Sequence, residues 1–139
     1  AAQPEGKFGL IVLDAFSSDA VPVHLLTTQA VSMYVKRLKP GGLLAFHISN
    51  RYLDLQSVLS AVAADLNLAA VIREDIVDDA ESKNDGHWNS TWVCLAREPK
   101  DLDPLEPSHA WSSLRRQPVD RLWTDDYSSF LGIFHWTKP

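Results

Sequence analysis

Apolar residues fall in short unbroken runs, with helical stripes between them and polar turns at their ends. Gly9 to Leu13 is continuous and apolar, the pattern of a strand covered on both faces. Ser17 to Val23, with Pro22 inside it, reads as a loop. Thr27 or Thr28 caps a helix from about Gln29 to Leu38, whose Ala30, Val31, Tyr34, Val35 and Leu38 make one apolar stripe. Pro40-Gly41-Gly42 is expected to end that helix, since proline cannot continue it and glycine accepts the left-handed cap. Leu43 to Ile48 predicts a second buried strand. Asp54 to Leu66 predicts a second helix facing inward through Leu55, Val58, Leu59, Val62 and Leu66. Ala69 to Arg73 predicts a third strand.

Asp75 to Asn89 is the most polar stretch and reads as a loop. Ser90 to Arg97 predicts a fourth strand, alternating enough to lie near an edge. It follows a loop without a helix, so it is expected to pair antiparallel with the third. Beyond Pro99 prolines and tryptophans are frequent, with a short helix near Pro107 to Leu114. Strand and helix alternate through the first three strands, which implies right-handed crossovers. The expected fold is α/β, with three parallel strands plus an antiparallel edge strand. The chain reads as a single incomplete domain over 1–139: an α/β core over 8–98 and a C-terminal extension over 99–139.

The chain has 139 residues, enough for one modest core. A net charge of −5 argues against nucleic acid as the main partner, because phosphate binding needs a basic face. It mildly favours cationic ligands, though charge of this size also serves solubility. The single cysteine, Cys94, excludes an internal disulfide and reads as a buried small residue in the run Thr91 to Ala96. No spacing suits an EF-hand loop or a zinc-binding histidine pair, so no metal is expected. No apolar stretch approaches the roughly 18 residues of a membrane-spanning helix, and no signal peptide opens the chain. The expected location is cytoplasmic, although a longer, membrane-fused parent is compatible with it.

Candidate chemistry begins at Asp14. An apolar strand runs directly into it, and ligands of open α/β sheets bind beyond the carboxyl ends of strands. The alternative for Asp14 is a carboxylate bonded to loop amides. Asp19 follows in a Ser-rich loop. His47 ends the second strand, where a hydrogen-bonded structural histidine is an equal reading. His87 and Trp88 sit in the polar loop beside Asp78, Asp79, Glu81 and Asp85, which attract a polycation or merely solvate the loop.

Leu10-Ile-Val-Leu-Asp14, Ser17-Ser-Asp19 and Leu38-Lys-Pro-Gly-Gly42, with His47-Ile-Ser-Asn50 and Trp123-Thr-Asp-Asp-Tyr127, resemble the polyamine aminopropyltransferase (spermidine synthase-like) family. The resemblance spans nearly all of this chain but only the C-terminal part of that family's catalytic domain. It implies a Rossmann-like, methyltransferase-type sheet of order 3-2-1-4-5-7-6, of which this chain supplies strands 4 to 7. Strands 1 to 3 and the glycine-rich nucleotide loop are then missing. The implied co-substrate is decarboxylated S-adenosylmethionine and the acceptor a diamine or polyamine.

By the same resemblance Asp14 is the catalytic base, and with Ala15 it touches the nucleoside donor. Asp19, His47, His87 and Trp88 bind the substrate. The spacing from Asp14 to Asp19 is two residues longer than the family's pattern. Where many members have glutamine and an acidic residue, this chain has His47 and Ser49. The expected partner of the first strand is a second copy of the chain, giving a homodimer, or a missing N-terminal half. A chain without the nucleotide-binding half is expected to be inactive alone. The competing readings are a non-catalytic polyamine-binding or dimerisation module, and an S-adenosylmethionine-dependent methyltransferase-like protein.

Overall fold

The computed structural model describes residues 6–15, 22–49, 53–76, 89–115 and 122–128. Strands β1 (Phe8–Leu13), β2 (Leu38–His47), β3 (Ala69–Asp75), β4 (Ser90–Ala96) and β5 (Ser112–Ser113) form one sheet in the order β1-β2-β4-β3-β5. Helix α1 (Thr28–Arg37) joins β1 to β2, and α2 (Leu55–Asp65) joins β2 to β3.

This sheet corrects the expected one. Only β1 and β2 pair in parallel; β4 runs antiparallel to both β2 and β3, and β5 antiparallel to β3. The fourth strand is therefore interior, and the sheet is mostly antiparallel rather than three parallel strands with an antiparallel edge. The alternation read in Ser90 to Ala96 does not mark an edge, because both faces of the strand are covered: Val93, Cys94, Leu95 and Ala96 are all buried. The expected antiparallel pairing with the third strand is present, from Ala69↔Ala96 to Asp75↔Ser90.

The two faces carry different cores. Leu44, Phe46 and Ile48 of the β2 segment, with Val93, Leu95 and Ile72, join Val31 of α1 and Leu55, Val58, Leu59 and Val62 of α2 in the main cluster. The opposite face holds Cys94, Ala96 and Leu102, with Ala45, Val71, Leu105 and Trp111 packed against them. The cover there comes from a 3-10 stretch, Pro99–Ser108, which ends at left-handed His109. This stretch and β5 replace the helix expected near Pro107.

Helix α1 stops at Arg37, before the Pro-Gly-Gly expected to end it. Leu38 is already extended, and Pro40 disfavours helical backbone at Lys39. The Arg97 guanidinium donates to the carbonyls of Val35, Leu38 (2.9 Å) and Lys39 (3.1 Å), and the last helix carbonyls, of Lys36 and Arg37, accept from the Gly6 and Lys7 amides. Pro40-Gly41-Gly42 instead forms an irregularity inside β2, where the β1 register shifts between Phe8 and Leu10. Gly41 has φ +73°, and a Cβ on Gly42 would meet the Phe8 and Lys39 carbonyl oxygens at 2.9 Å.

The other end of α1 is capped by Thr27, whose Oγ1 accepts from the Ala30 amide at 3.2 Å. The same hydroxyl donates to Asp125 at 2.6 Å, and the Thr28 amide donates to the Trp123 carbonyl at 3.0 Å. Thr124 and Tyr127 exchange backbone hydrogen bonds across a tight turn. The Trp-Thr-Asp-Asp-Tyr segment thus clamps the start of α1. Among the described residues, no helix is long and apolar enough to cross a membrane.

Candidate functional site at the carboxyl ends of β1 and β2

The register of β1 and β2 brings two of the candidate residues together. Their last pair is Leu13↔Phe46, so the next residues, Asp14 and His47, lie side by side where both strands end. Leu13 and Phe46 belong to the main cluster; period-two alternation turns their successors to the other face. His47 Nδ1 lies 2.7 Å from Asp14 Oδ1. The Asp14 side chain is 58% exposed and that of His47 19%, so the carboxylate is presented to solvent and the imidazole is held.

Two contacts hold that imidazole, and a third fixes the serine that makes one of them. Ser49 Oγ lies 2.7 Å from His47 Nε2. The Thr91 amide donates to Ser49 Oγ at 2.8 Å. Trp92, paired with His47 across β2 and β4, stacks on the ring at 4.6 Å between centroids and 19° between planes. Next in the same cross-strand row is Arg73, whose guanidinium lies 3.6 Å from Asp75.

Proton positions follow from donor and acceptor capacity. An ionised carboxylate only accepts, so the hydrogen between Asp14 and His47 sits on Nδ1. In the neutral ring Nε2 then accepts the Ser49 hydroxyl hydrogen. Ser49 keeps a lone pair for the Thr91 amide. All donations run one way: Thr91 N–H to Ser49, Ser49 O–H to His47, His47 N–H to Asp14.

Aspartate, histidine and serine are connected in this order in serine hydrolases. The hydrogen bond accepted from the Thr91 amide lowers the nucleophilicity of the Ser49 oxygen. An acyl-transfer site instead needs amides aimed at the developing oxyanion. The Thr91 amide, which reaches this hydroxyl, is spent on the hydroxyl itself.

Of the residues singled out from sequence, Asp14 and His47 meet. Ala15 is exposed beside them. Asp19, His87 and Trp88 lie outside the described residues. Ser49, Thr91 and Trp92 complete the site and were not candidates for binding. Ser49 carried one signal, its i+2 spacing from His47 at a strand end. The other two depend on β4 pairing with β2, which an expected edge strand next to β3 hides. On the same face Cys94 is buried, and burial pushes its thiol up to about 11, which makes it an inert core residue. No family model, no curated protein and no solved structure matches this chain.

Proposed function

We propose that the chain carries the amine-binding part of an aminopropyltransferase-like site, in which Asp14 receives the ammonium group of a diamine or polyamine. The observation that carries this reading is the exposed Asp14 carboxylate at the end of β1, fixed through one oxygen by His47. Among the described residues its other oxygen has no hydrogen-bond partner, and there we place the ligand. The strand succession β1-β2-β4-β3 also supports it, because it follows the 4-5-7-6 succession of that family's sheet.

An alkylamine arrives protonated near neutral pH and is inert as a nucleophile. A carboxylate beside it holds the ammonium, then accepts one proton as nitrogen attacks. The nitrogen lone pair bonds to the CH2 next to the sulfonium of decarboxylated S-adenosylmethionine. The carbon–sulfur bond breaks, and its electron pair leaves with sulfur as a neutral thioether, so no general acid is required.

These 139 residues contain no Gly-x-Gly-x-x-Gly loop, so the chain by itself is expected to bind amine without turnover. The outer edge of β1, with Leu10 and Val12 exposed, is where we place a second copy of the chain or further sheet.

Calorimetry with 1,4-diaminobutane, spermidine and methylthioadenosine tests the reading. Amine binding that weakens at least about tenfold in Asp14→Asn supports it, as expected for loss of a charge-assisted contact. Nucleoside binding that is indifferent to Asp14→Asn would instead support a methyltransferase-like protein. Absence of amine binding overturns the proposal.

A further inference from the structure

We propose that Ser49 and His47 make Asp14 a pH-gated seat for an alkylammonium, open while His47 is neutral and closed when it is protonated. The inference deepens the amine-binding reading and rests on it for the identity of the ligand. It stands on the one-way chain of hydrogen bonds described above.

With His47 neutral, the Asp14–His47 pair carries one negative charge. Nδ1–H occupies one carboxylate oxygen, and the exposed side of the carboxylate faces outward. Ser49 donates to Nε2 and so favours the ring form whose only hydrogen points at Asp14. Trp92 keeps the ring plane fixed, and the Thr91 amide keeps Ser49 in place. The carboxylate is therefore preorganised as an anion, and an ammonium meets it without rearrangement.

A second proton on the imidazole changes both the charge and the bonding. Nε2–H now donates to Ser49 Oγ, which also accepts from Thr91, and the Ser49 hydrogen turns elsewhere. The pair becomes neutral overall, with a cation 2.7 Å from the carboxylate competing with the incoming ammonium. The described charged groups around His47 do not replace this effect. Asp14 is its direct partner across β1. On β3, beyond Trp92, Arg73 is paired with Asp75, and Glu74 alternates to the other face.

The sign follows. Ammonium binding is favoured while His47 is neutral and weakens once the ring takes a second proton. Binding to the protonated form expels a proton from His47, because ammonium and imidazolium compete for one carboxylate.

The test uses the whole chain and 1,4-diaminobutane, titrated calorimetrically at about pH 8 and about pH 5.5. Wild type should bind about fivefold or more weakly at the lower pH, the upper range for an ion pair near the surface. His47→Gln keeps a side-chain donor for Asp14 but cannot take a proton, so its affinity should be nearly equal at the two values. Equal pH dependence in wild type and His47→Gln overturns the gate.

Nitrogen-15 NMR of the ligand-free protein tests the hydrogen-bond chain independently. At the higher pH, His47 should show a protonated Nδ1 and a bare Nε2, and Ser49→Ala should shift the Nε2 resonance. A protonated Nε2 with a bare Nδ1 would overturn the proposal even if amine binds. If His47 shows the expected form and no amine binds at either pH, the amine-binding reading falls and the gate falls with it, while the hydrogen-bond chain itself remains established.

Discussion

His47 Nδ1 lies 2.7 Å from Asp14 Oδ1, and the two residues come from neighbouring parallel strands that end at the same level. The contact joins a solvent-facing carboxylate to a ring fixed by Ser49 and Trp92. Such a pair adds little to stability, since exposed ion pairs contribute about 0–1 kcal/mol. Asp14→Asn should therefore change unfolding free energy in urea by less than about 1 kcal/mol. The same variant should lose amine affinity as described above. A variant that unfolds much more readily would mark Asp14 as a structural cap.

The Thr27 side chain has two roles at the start of α1. It caps the helix through the Ala30 amide and donates to Asp125 of the C-terminal turn. Thr27→Ala removes both and should cost about 1–3 kcal/mol, with Thr27→Ser restoring most of it. Denaturant titration of the two variants measures this. Equal losses in both would show that the hydroxyl is not responsible.

The helices and the first strand were legible because their signals are local. Leu10 to Leu13 is apolar without interruption, Thr27 stands at a cap position, and Leu55, Val58, Leu59 and Val62 repeat at helical spacing. The place of β4 was not legible in its own residues. Strand order depends on which neighbours compete for the same ladder, and Ser90 to Ala96 has no pattern that distinguishes the middle of a sheet from its margin. The Pro-Gly-Gly turn misled for a related reason. Its glycines suit a helix cap, but the last helix carbonyls, of Lys36 and Arg37, already accept from the distant Gly6 and Lys7 amides. Asp14 and His47 were singled out because strand ends are visible in sequence. Ser49 and Trp92 acquire their roles only through the β2–β4 register.

Phe46 is fully buried between the sheet and the helices. Phe46→Ala removes a large side chain from the main cluster and should cost about 3–5 kcal/mol, the usual range for such a truncation. Thermal unfolding measures it. A loss under about 1 kcal/mol would mean that neighbouring side chains collapse into the space.

Cys94 should be silent until the protein opens. Burial holds its thiol up to about 11, against an ordinary value of 9.0. The folded state thus favours the protonated thiol. This contribution to stability is fully present below the unfolded value and is lost as pH rises from about 9 toward about 11. Native protein should resist alkylation near pH 8 and react promptly once unfolded. Cys94→Ala should flatten the alkaline decline in stability. Rapid labelling of the native thiol would contradict its burial.

The end strand β1 presents Leu10 at 55% and Val12 at 50% exposure. A strand at a sheet edge offers unpaired backbone groups as a template for another strand. Two copies related by a two-fold axis would pair their β1 strands antiparallel and bring both sets of apolar side chains together. Light scattering coupled to size exclusion should show association that rises with concentration. Val12→Lys and Leu10→Lys should reduce it, because a lysine on an edge strand discourages pairing. A wild-type chain that stays monomeric at high concentration would remove the second copy as the occupant of this edge.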